Sequence, residues 1–171
     1  ARRQDWPAFR AAWKPTTNVS LQCAELNARQ AMGKADAQWT TDAQALWRST
    51  GKSLPDGCDP VFAILDSKGG LSPALRWERI DLAAAEQQPA VIRTIARGLP
   101  AADAALANDY AAFLDSVHPR ALNWPKTERS RNMAAQGLMR LAKSAPAAAE
   151  MQLPQYADAL GMNEQQRGKV L

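Results

Sequence analysis

Residues 37–70 read AQWTTDAQALWRSTGKSLPDGCDPVFAILDSKGG, and this stretch decides the fold class. Its apolar side chains recur at helical spacing, at Trp39, Ala43, Leu46 and Trp47. Gly51 stands where that helix would end. Asp59-Pro60 is typical of a helix start, with Asp59 as the cap and Pro60 at the first helical position, and Gly69-Gly70 would end the second helix. The stretch therefore predicts two short helices joined by a turn.

The turn contains Gly51-Lys52-Ser53, which matches the end of a phosphate-binding loop. A complete loop of this kind has the form G-x-x-x-x-G-K-[ST] and connects a strand to a helix. Its first glycine would fall at Leu46, and the preceding residues have helical character. Pro55 also blocks a helix directly after Lys52. The pattern indicates a helix end, and we do not expect nucleotide binding.

The rest of the chain carries similar helix-start and helix-end signals. Residues typical of helix starts are Asn18 or Ser20, Ser72, Thr127 and Asn163. Gly33 and Gly98 are typical of helix ends. Pro146, Pro154 and Asn163 are predicted to begin three short final segments. Because β-branched residues are scarce, we predict an all-α fold: an irregular α-superhelix (solenoid) of about ten short antiparallel helices.

The composition sets limits on the class of protein. The chain has 171 residues, 46% of them apolar, which suits one packed domain or a continuous piece of a larger one. No apolar run approaches the length of about 18 residues that spans a membrane. The sequence begins without Met and without a signal-peptide pattern, so we expect a mature protein trimmed or excised from a longer one.

The charge is modestly basic, with a net value of +4 and an isoelectric point near 9.3. Such a balance favours nucleic acid, anionic lipid or an acidic polymer. The cations are spread along the chain, and the local cluster Arg120, Lys126, Arg129 and Arg131 lacks interleaved aromatic residues for stacking bases. We predict a solvated basic surface and no nucleic-acid partner. The six tryptophans are interpreted as packing residues.

Cys23 and Cys58 are the two cysteines of the chain. Metal binding would call for closely spaced pairs together with histidines, and the one histidine, His118, lies far along the sequence. Two thiols without ligand spacing suit either inert buried residues or one disulfide. The sequence physics alone leaves both alternatives open.

Few residues form a pattern typical of catalysis. His118 precedes a proline at a predicted helix end, where an imidazolium suits the helix dipole, and we assign it no catalytic role. Glu78 and Asp81 lie three residues apart beside Arg76 and Arg79, which predicts surface ion pairs. The nucleophile-elbow, zinc-protease and dinucleotide-binding motifs are absent from the sequence. We therefore assign no catalytic, metal-binding or cofactor-binding residue.

A longer pattern runs through residues 42–83. The matching residues are Leu46, Trp47, Gly51, Lys52, Ser53, Pro55, Cys58, Asp59, Phe62, Glu78, Arg79, Ile80, Leu82 and Ala83. They fit the forms E-L-W-x-x-G-K-S-x-P-x-x-C-D-x-L-F and Y-L-E-R-I-R-L-A. Further matches in the same order are ARRQDW (1–6), Gln22-Cys23, GLPAAD (98–103), RNMAA (131–135) and MNEQQ (162–166). With these motifs the chain resembles the superhelical region of the soluble lytic murein transglycosylases of Gram-negative bacteria.

That resemblance implies a compartment, a domain and a reaction. Cys23 and Cys58 would form the family's disulfide in an oxidising periplasm. Residues 1–171 would be part of an N-terminal α-superhelical domain, without the C-terminal lysozyme-like catalytic domain. The complete enzyme would cleave the MurNAc–GlcNAc bond of peptidoglycan without water. One glutamate would protonate the leaving oxygen, and the muramyl 6-hydroxyl would close a 1,6-anhydro ring.

The catalytic motif of that family is not found in this chain. The run QGLMRLAKSAP (136–146) resembles its G-L-M-Q-I-M-P element, which in the family follows an E-S-x-x-x-P segment carrying the catalytic glutamate. No Glu-Ser pair occurs in the sequence, and the run lies in a predicted amphipathic helix. The resemblance thus implies a scaffold and substrate corral for peptidoglycan glycan strands that is inactive alone and needs no cofactor.

Two other classes of function remain as alternatives. A free-standing α-solenoid that binds protein partners in the cytoplasm would keep both thiols reduced. A nucleic-acid binder would rest on the basic isoelectric point alone and would show salt-dependent retention on duplex DNA.

Overall fold

The computed structural model describes residues 5–171 of the chain. Within this range it contains ten α-helices, two short 3₁₀ helices and no β-strand, which confirms the all-α class. The α-helices are α1 (Trp6–Ala12), α2 (Val19–Ala31), α3 (Ala37–Trp47), α4 (Asp59–Ser67), α5 (Pro73–Ala85), α6 (Pro89–Ala96), α7 (Ala101–Asp115), α8 (Glu128–Ser144), α9 (Pro146–Leu160) and α10 (Glu164–Val170). The 3₁₀ helices are Asp56–Cys58 and Pro119–Asn123. The ARRQDW motif lies mostly outside the described residues.

The chain divides into two compact units, and the boundary falls inside α5, after Leu75. In the first unit, α2 packs against α1, α3 and α4. In the second unit, α8 packs against α7, α9 and α10, and α6 packs against α7. Consecutive helices from α1 to α4 and from α6 to α10 are thus neighbours within their units.

Side-chain caps begin the helices at most of the predicted positions. At four predicted positions, Asn18, Ser72, Thr127 and Asn163, a side-chain oxygen accepts the backbone N–H three residues later at 2.8–3.2 Å. Each bond satisfies one N–H that the first helical turn would leave unpaired. Gly33 and Gly69 follow helix ends with φ of +73° and +76°, a left-handed conformation that a side chain disfavours.

One predicted helix start and one predicted cap are wrong. Pro154 does not begin a new segment, because α9 runs through it from Pro146 to Leu160. The buried face of α9 continues on both sides of it, through Ala149, Leu153, Tyr156, Ala157 and Leu160. Pro154 itself is exposed, so the carbonyl group that loses its helical partner faces water, and the helix tolerates the proline. Asp59 is not the cap of α4 but its first residue, since the preceding 3₁₀ turn makes Cys58 the cap.

Tryptophans hold α3 in the core of the first unit. All four apolar residues predicted to share a face of α3 are buried: Trp39, Ala43, Leu46 and Trp47. The indole N–H of Trp39 donates to the backbone oxygen of Leu26, and that of Trp47 to the backbone oxygen of Leu75, each at 2.9 Å. Each ring therefore buries apolar area without leaving its N–H unsatisfied.

An aromatic cluster fills the core of the second unit. Phe113 of α7 makes edge contacts with Trp124 and Tyr156, at centroid distances of 5.1 and 5.3 Å. Tyr110 contacts Trp124 at 4.7 Å and shares a hydrogen bond of 2.7 Å with the hydroxyl of Ser130. Edge-to-face contacts add to the stabilisation from burial alone. The cluster joins α7 to α8, to α9 and to the 3₁₀ segment that lies between α7 and α8 in the chain.

Candidate functional site

A cross-link lies at the centre of the first unit. The structure joins Cys23 of α2 to Cys58 of the 3₁₀ turn by a disulfide with a Cα–Cα distance of 5.1 Å, and both residues are fully buried. Beside it, the side-chain amide of Asn27 donates to the backbone oxygen of Gly57 at 3.0 Å. The turn before α4 is thus attached to α2 by one covalent bond and one hydrogen bond.

Gly51-Lys52-Ser53 lies between the end of α3 and this turn. Helix α3 ends at Trp47, and the next helical residue is Asp56. The hydroxyl of Thr50 accepts the backbone N–H of Lys52 at 3.1 Å. A phosphate-binding loop leads directly into a helix N-terminus, whereas this segment enters an extended stretch at Leu54 and Pro55.

His118 directly precedes the 3₁₀ helix Pro119–Asn123, and its ring packs within the aromatic cluster of the second unit. Its ring contacts Phe113 at 5.3 Å and Trp124 at 6.0 Å, and its Nε2 lies 3.2 Å from the backbone oxygen of Asp109. Its Nδ1 is buried and has no hydrogen-bond partner within residues 5–171. These contacts are those of a packed side chain.

The carboxylate of Asp109 accepts hydrogen bonds from the polar groups beside this ring. The indole N–H of Trp124 donates to it at 2.7 Å, and the guanidinium of Arg120 donates at 2.8 Å. Burial acts to raise the pKa of Asp109, but these two hydrogen bonds, together with the charges of His118 and Arg120, outweigh it and hold the pKa below its ordinary value. Asp109 is therefore a stably ionised acceptor.

Arg76 and Arg79, which flank Glu78 and Asp81 in the sequence, are not the predicted surface cations. Both arginines are buried, with exposed fractions of 7% and 4%. A Cβ at Gly98 would lie only 2.1 Å from the guanidinium carbon of Arg76, so the glycine leaves the space that this side chain occupies. The prediction of two surface cations was wrong because helical spacing alone does not reveal which face of α5 is buried.

Asp81 instead pairs with Arg129 of α8. Two guanidinium nitrogens donate to the two carboxylate oxygens, at 2.8 and 3.1 Å, and the guanidinium lies 4.6 Å from the centroid of the Trp77 ring. The hydrogen bond to Asp81 raises the pKa of Arg129. A two-pronged ion pair beside an aromatic face fixes the position of this cation.

A polar groove of about 600 Å³ adjoins this pair within the second unit. We call it the Arg129 groove; its polar lining residues are Asp81, Thr127, Glu128, Arg129, Asn132, Gln136 and Lys169. Hydrogen-bond donors, acceptors and both signs of charge meet on one surface. Its volume lies in the range of about 300–1,000 Å³ typical of small-ligand sites. Because Asp81 is already held as an ion pair, this surface is suited to binding rather than to proton transfer.

The local basic cluster is not a patch of unpaired cations. Arg120 and Arg129 are paired with aspartates, and Arg131 donates to the backbone oxygens of Lys126 and Leu160 at 3.3 and 3.4 Å. Part of the excess positive charge is therefore neutralised locally, which weakens the case for an extended polyanion track.

One contact had no signal in the sequence. Gln87, at the end of α5, has a φ of +58°, which is unusual for a residue other than glycine. Its side-chain amide donates to the backbone oxygen of Gln136 at 3.1 Å and to the side-chain oxygen of the same residue at 3.0 Å. The partners are 49 residues apart, and only Pro89, two positions after Gln87, marks the region in the sequence as a helix break.

Residues 5–171 contain no metal site, because within this range no group of three or more metal-ligating side chains is close enough to hold an ion. No helix in this range is long and apolar enough to cross a membrane.

Comparison with known proteins gives a consistent set of relatives, although no family model matches the chain. The soluble lytic murein transglycosylases of Escherichia coli K12 and Salmonella typhimurium LT2 are 30% and 31% identical to it over 97% of its length. The chain spans only 26% of either relative. These relatives confirm the resemblance found in the motifs.

Solved structures agree with the sequence relatives. The 70-kDa soluble lytic transglycosylase SLT70 of Escherichia coli is similar with a TM-score of 0.85 and 27% identity, over 99% of this chain and 28% of that one. The 70-kDa soluble lytic transglycosylase in complex with bulgecin A gives a TM-score of 0.83. An inactive mutant of the lytic transglycosylase Slt from Pseudomonas aeruginosa shares the fold with a TM-score of 0.68.

Proposed function

We propose that this chain is a scaffold segment from the α-superhelical domain of a periplasmic soluble lytic murein transglycosylase. The observation that carries the proposal is the alignment of 97% of the chain with about a quarter of a protein of that name. The helical fold shared with SLT70 supports it independently. In this proposal residues 1–171 are part of the N-terminal superhelical domain, and the catalytic lysozyme-like domain lies outside them.

The complete enzyme would break the MurNAc–GlcNAc bond of peptidoglycan and release 1,6-anhydromuramyl products. The chemistry needs a carboxylic acid that is protonated near neutral pH, which usually requires a raised pKa. Asp109, in contrast, has a lowered pKa, and Asp81 and Glu25 are engaged in ion pairs with arginines. These environments support a structural role for the carboxylates, and we propose that the segment is inactive alone.

The segment would contribute a surface that guides the substrate polymer. Its net charge of +4 and the mixed polar lining of the Arg129 groove suit a strand bearing hydroxyl, amide and carboxylate groups. Because several arginines are already paired, we expect this binding to be weak and to decrease with salt.

The decisive experiment compares the full-length gene product with the 171-residue segment. Purified peptidoglycan sacculi are incubated with each protein, and the soluble fragments are identified by mass spectrometry. We expect 1,6-anhydromuropeptides from the full-length protein and none from the segment. Release of these products by the segment would refute the scaffold role. An inactive full-length protein, folded by circular dichroism, would refute the enzyme assignment.

A thiol titration tests the proposed compartment. Protein purified from its native compartment is denatured without reductant and treated with a thiol reagent. We expect no free thiol, because Cys23 and Cys58 are joined. Two free thiols would instead favour the cytoplasmic adaptor that binds protein partners.

A further inference from the structure

A second groove lies within the first unit, where the loop after α1 meets α2 and α3. Its volume is about 420 Å³, again within the range of small-ligand sites. We call it the Trp13 groove; the lining residues that matter here are Trp13, Gln22, Glu25, Arg29, Asp42 and Leu46. It combines an aromatic ring, a wall of ion pairs and an apolar floor.

The charged side chains of the wall are paired with one another, and Arg29 also lies 3.9 Å from an oxygen of the exposed Asp36. A guanidinium nitrogen of Arg29 lies 2.7 Å from one oxygen of Asp42 and 3.5 Å from one oxygen of Glu25. Arg10 pairs with the other oxygen of Glu25. The side chains of Arg29 and Glu25 are largely buried, with exposed fractions of 12% and 9%. A balanced wall offers hydrogen bonds without a strong net charge, so it favours a neutral polar ligand.

Acceptor groups on this wall keep hydrogen-bonding capacity. Each carboxylate has about four lone-pair sites, more than the ion pairs to Glu25 and Asp42 occupy. The side-chain nitrogen of Gln22 donates to the backbone oxygen of Thr16 at 2.7 Å, which fixes the orientation of that amide. These groups are planar, held in place and suited to accepting hydrogen bonds from hydroxyl groups.

The opposite side of the groove is apolar. Leu26 and Leu46, with exposed fractions of 3% and 6%, form its floor. Trp13 is only half-buried, unlike Trp39, Trp47, Trp77 and Trp124. Its ring lies 5.9 Å from that of Phe9, and its indole N–H has no hydrogen bond within residues 5–171. An aromatic face with an unused donor is therefore available at the rim.

We infer that the Trp13 groove is a subsite for one sugar ring of a glycan strand, an inference that rests on the proposed function. A pyranose ring has an apolar C–H face, which would stack on Trp13, and equatorial hydroxyl groups, which would reach the carboxylates and Gln22. The peptide stems of peptidoglycan carry ionised groups that would need an unpaired opposite charge, which the wall does not offer.

The binding test uses chitotetraose, a peptide-free oligomer of N-acetylglucosamine, with the complete 171-residue chain. Two-dimensional NMR resolves the indole N–H signals, and a Trp13→Phe variant assigns the one from Trp13. We expect this signal to shift in a saturable way as the sugar is added. A Trp13 signal that does not move would overturn the inference.

A blocking variant tests the location without removing a native contact. Ala45 lines the groove and is exposed, so Ala45→Gln places a longer side chain in the space while keeping good helix propensity. Ala63→Gln makes the same change at an exposed position of α4 that does not line the groove. We expect Ala45→Gln to weaken chitotetraose binding by about three- to tenfold, the size of one lost aromatic contact, and Ala63→Gln to leave it unchanged. Equal affinity of the two variants would overturn the inference.

Sedimentation with sacculi separates failure of the subsite from failure of the proposed function. The subsite is supported if the unsubstituted chain and the Ala63→Gln variant sediment with sacculi to the same extent and a smaller fraction of the Ala45→Gln variant does. Equal sedimentation of all three overturns the subsite while the scaffold role stands. The scaffold role itself fails through the product assay with the full-length protein, which does not depend on Ala45.

Discussion

Reduction of the bond between Cys23 and Cys58 should lower the free energy of unfolding by about 4 kcal/mol. The bond closes a loop with a sequence separation of 35. In the chain-entropy description, a loop of this length loses about 13 cal/mol/K of freedom in the unfolded state, or about 4 kcal/mol at 25 °C. For a chain of this size the loss corresponds to a fall in melting temperature of roughly 8–16 °C.

The assay compares the oxidised and the reduced protein, because both contain the same atoms in the buried core. Thermal and urea unfolding are followed by circular dichroism with and without dithiothreitol. A Cys23→Ala/Cys58→Ala variant serves as control and should not respond to the reductant. We expect it to be slightly less stable than the reduced protein, since each buried sulfur that is removed costs roughly 1 kcal/mol.

Two results would refute this reasoning. Unfolding free energies of oxidised and reduced protein within about 1 kcal/mol of each other would mean that the loop is already constrained in the unfolded chain. A response of the double variant to dithiothreitol would mean that the reductant acts elsewhere than on this bond.

Substitutions at four further positions test the packing and the electrostatics. Gly137→Ala should lower the free energy of unfolding by about 1–3 kcal/mol, because the added Cβ would lie 2.3 Å from the Phe113 ring. Gly168→Ala should raise it by up to about 1 kcal/mol, because no atom lies within 4 Å of the added Cβ. Asp109→Asn should lower the melting temperature at neutral pH, and the difference should shrink as the pH falls below about 4. Gln87→Ala should destabilise the fold through the lost hydrogen bonds. Gln87→Gly loses the same bonds but relieves the strained φ that Gln and Ala share, so it should be roughly 1 kcal/mol more stable than Gln87→Ala.

Urea unfolding measures the effects at the glycines and at Gln87, thermal unfolding across a pH series measures the effect of Asp109→Asn, and each prediction has an outcome that contradicts it. The two glycine substitutions must differ in sign; the same sign for both would contradict the close contact of α8 with α7. For Asp109, a lowered folded-state pKa means that the unfolded chain binds the proton first, so its stabilisation is complete above the ordinary pKa and is lost as the pH falls through the folded value. A difference that stays constant with pH would contradict this. Equal stability of the Gln87→Gly and Gln87→Ala variants would contradict the strain at that position.

Local signals were sufficient for most helix starts. Asn18, Ser72 and Thr127 were identified from sequence because a cap acts on an N–H only three residues away. The internal Pro154 was misjudged because the buried stripe on both sides of it outweighs one lost hydrogen bond that water replaces.

The site could be predicted much less well than the fold. Asp81 has Arg79 two positions away in the sequence, yet the structure pairs it with Arg129, 48 residues distant. The Trp13 and Arg129 grooves each combine three or more segments of one unit, and no spacing rule brings such segments together. The motif resemblance reached the family because it used the order of many residues rather than their chemistry.

The two indole hydrogen bonds of α3 affect how many residues of such a sequence can be substituted without loss of the fold. Trp39 and Trp47 donate to main-chain oxygens, which every amino acid provides. Positions 26 and 75 can therefore exchange one apolar residue for another without breaking these bonds, whereas the donor requires tryptophan. Such one-sided contacts concentrate the cost of mutation on a few large residues and leave their partners free to vary. A helical array built on them can preserve its geometry while most of its side chains are replaced.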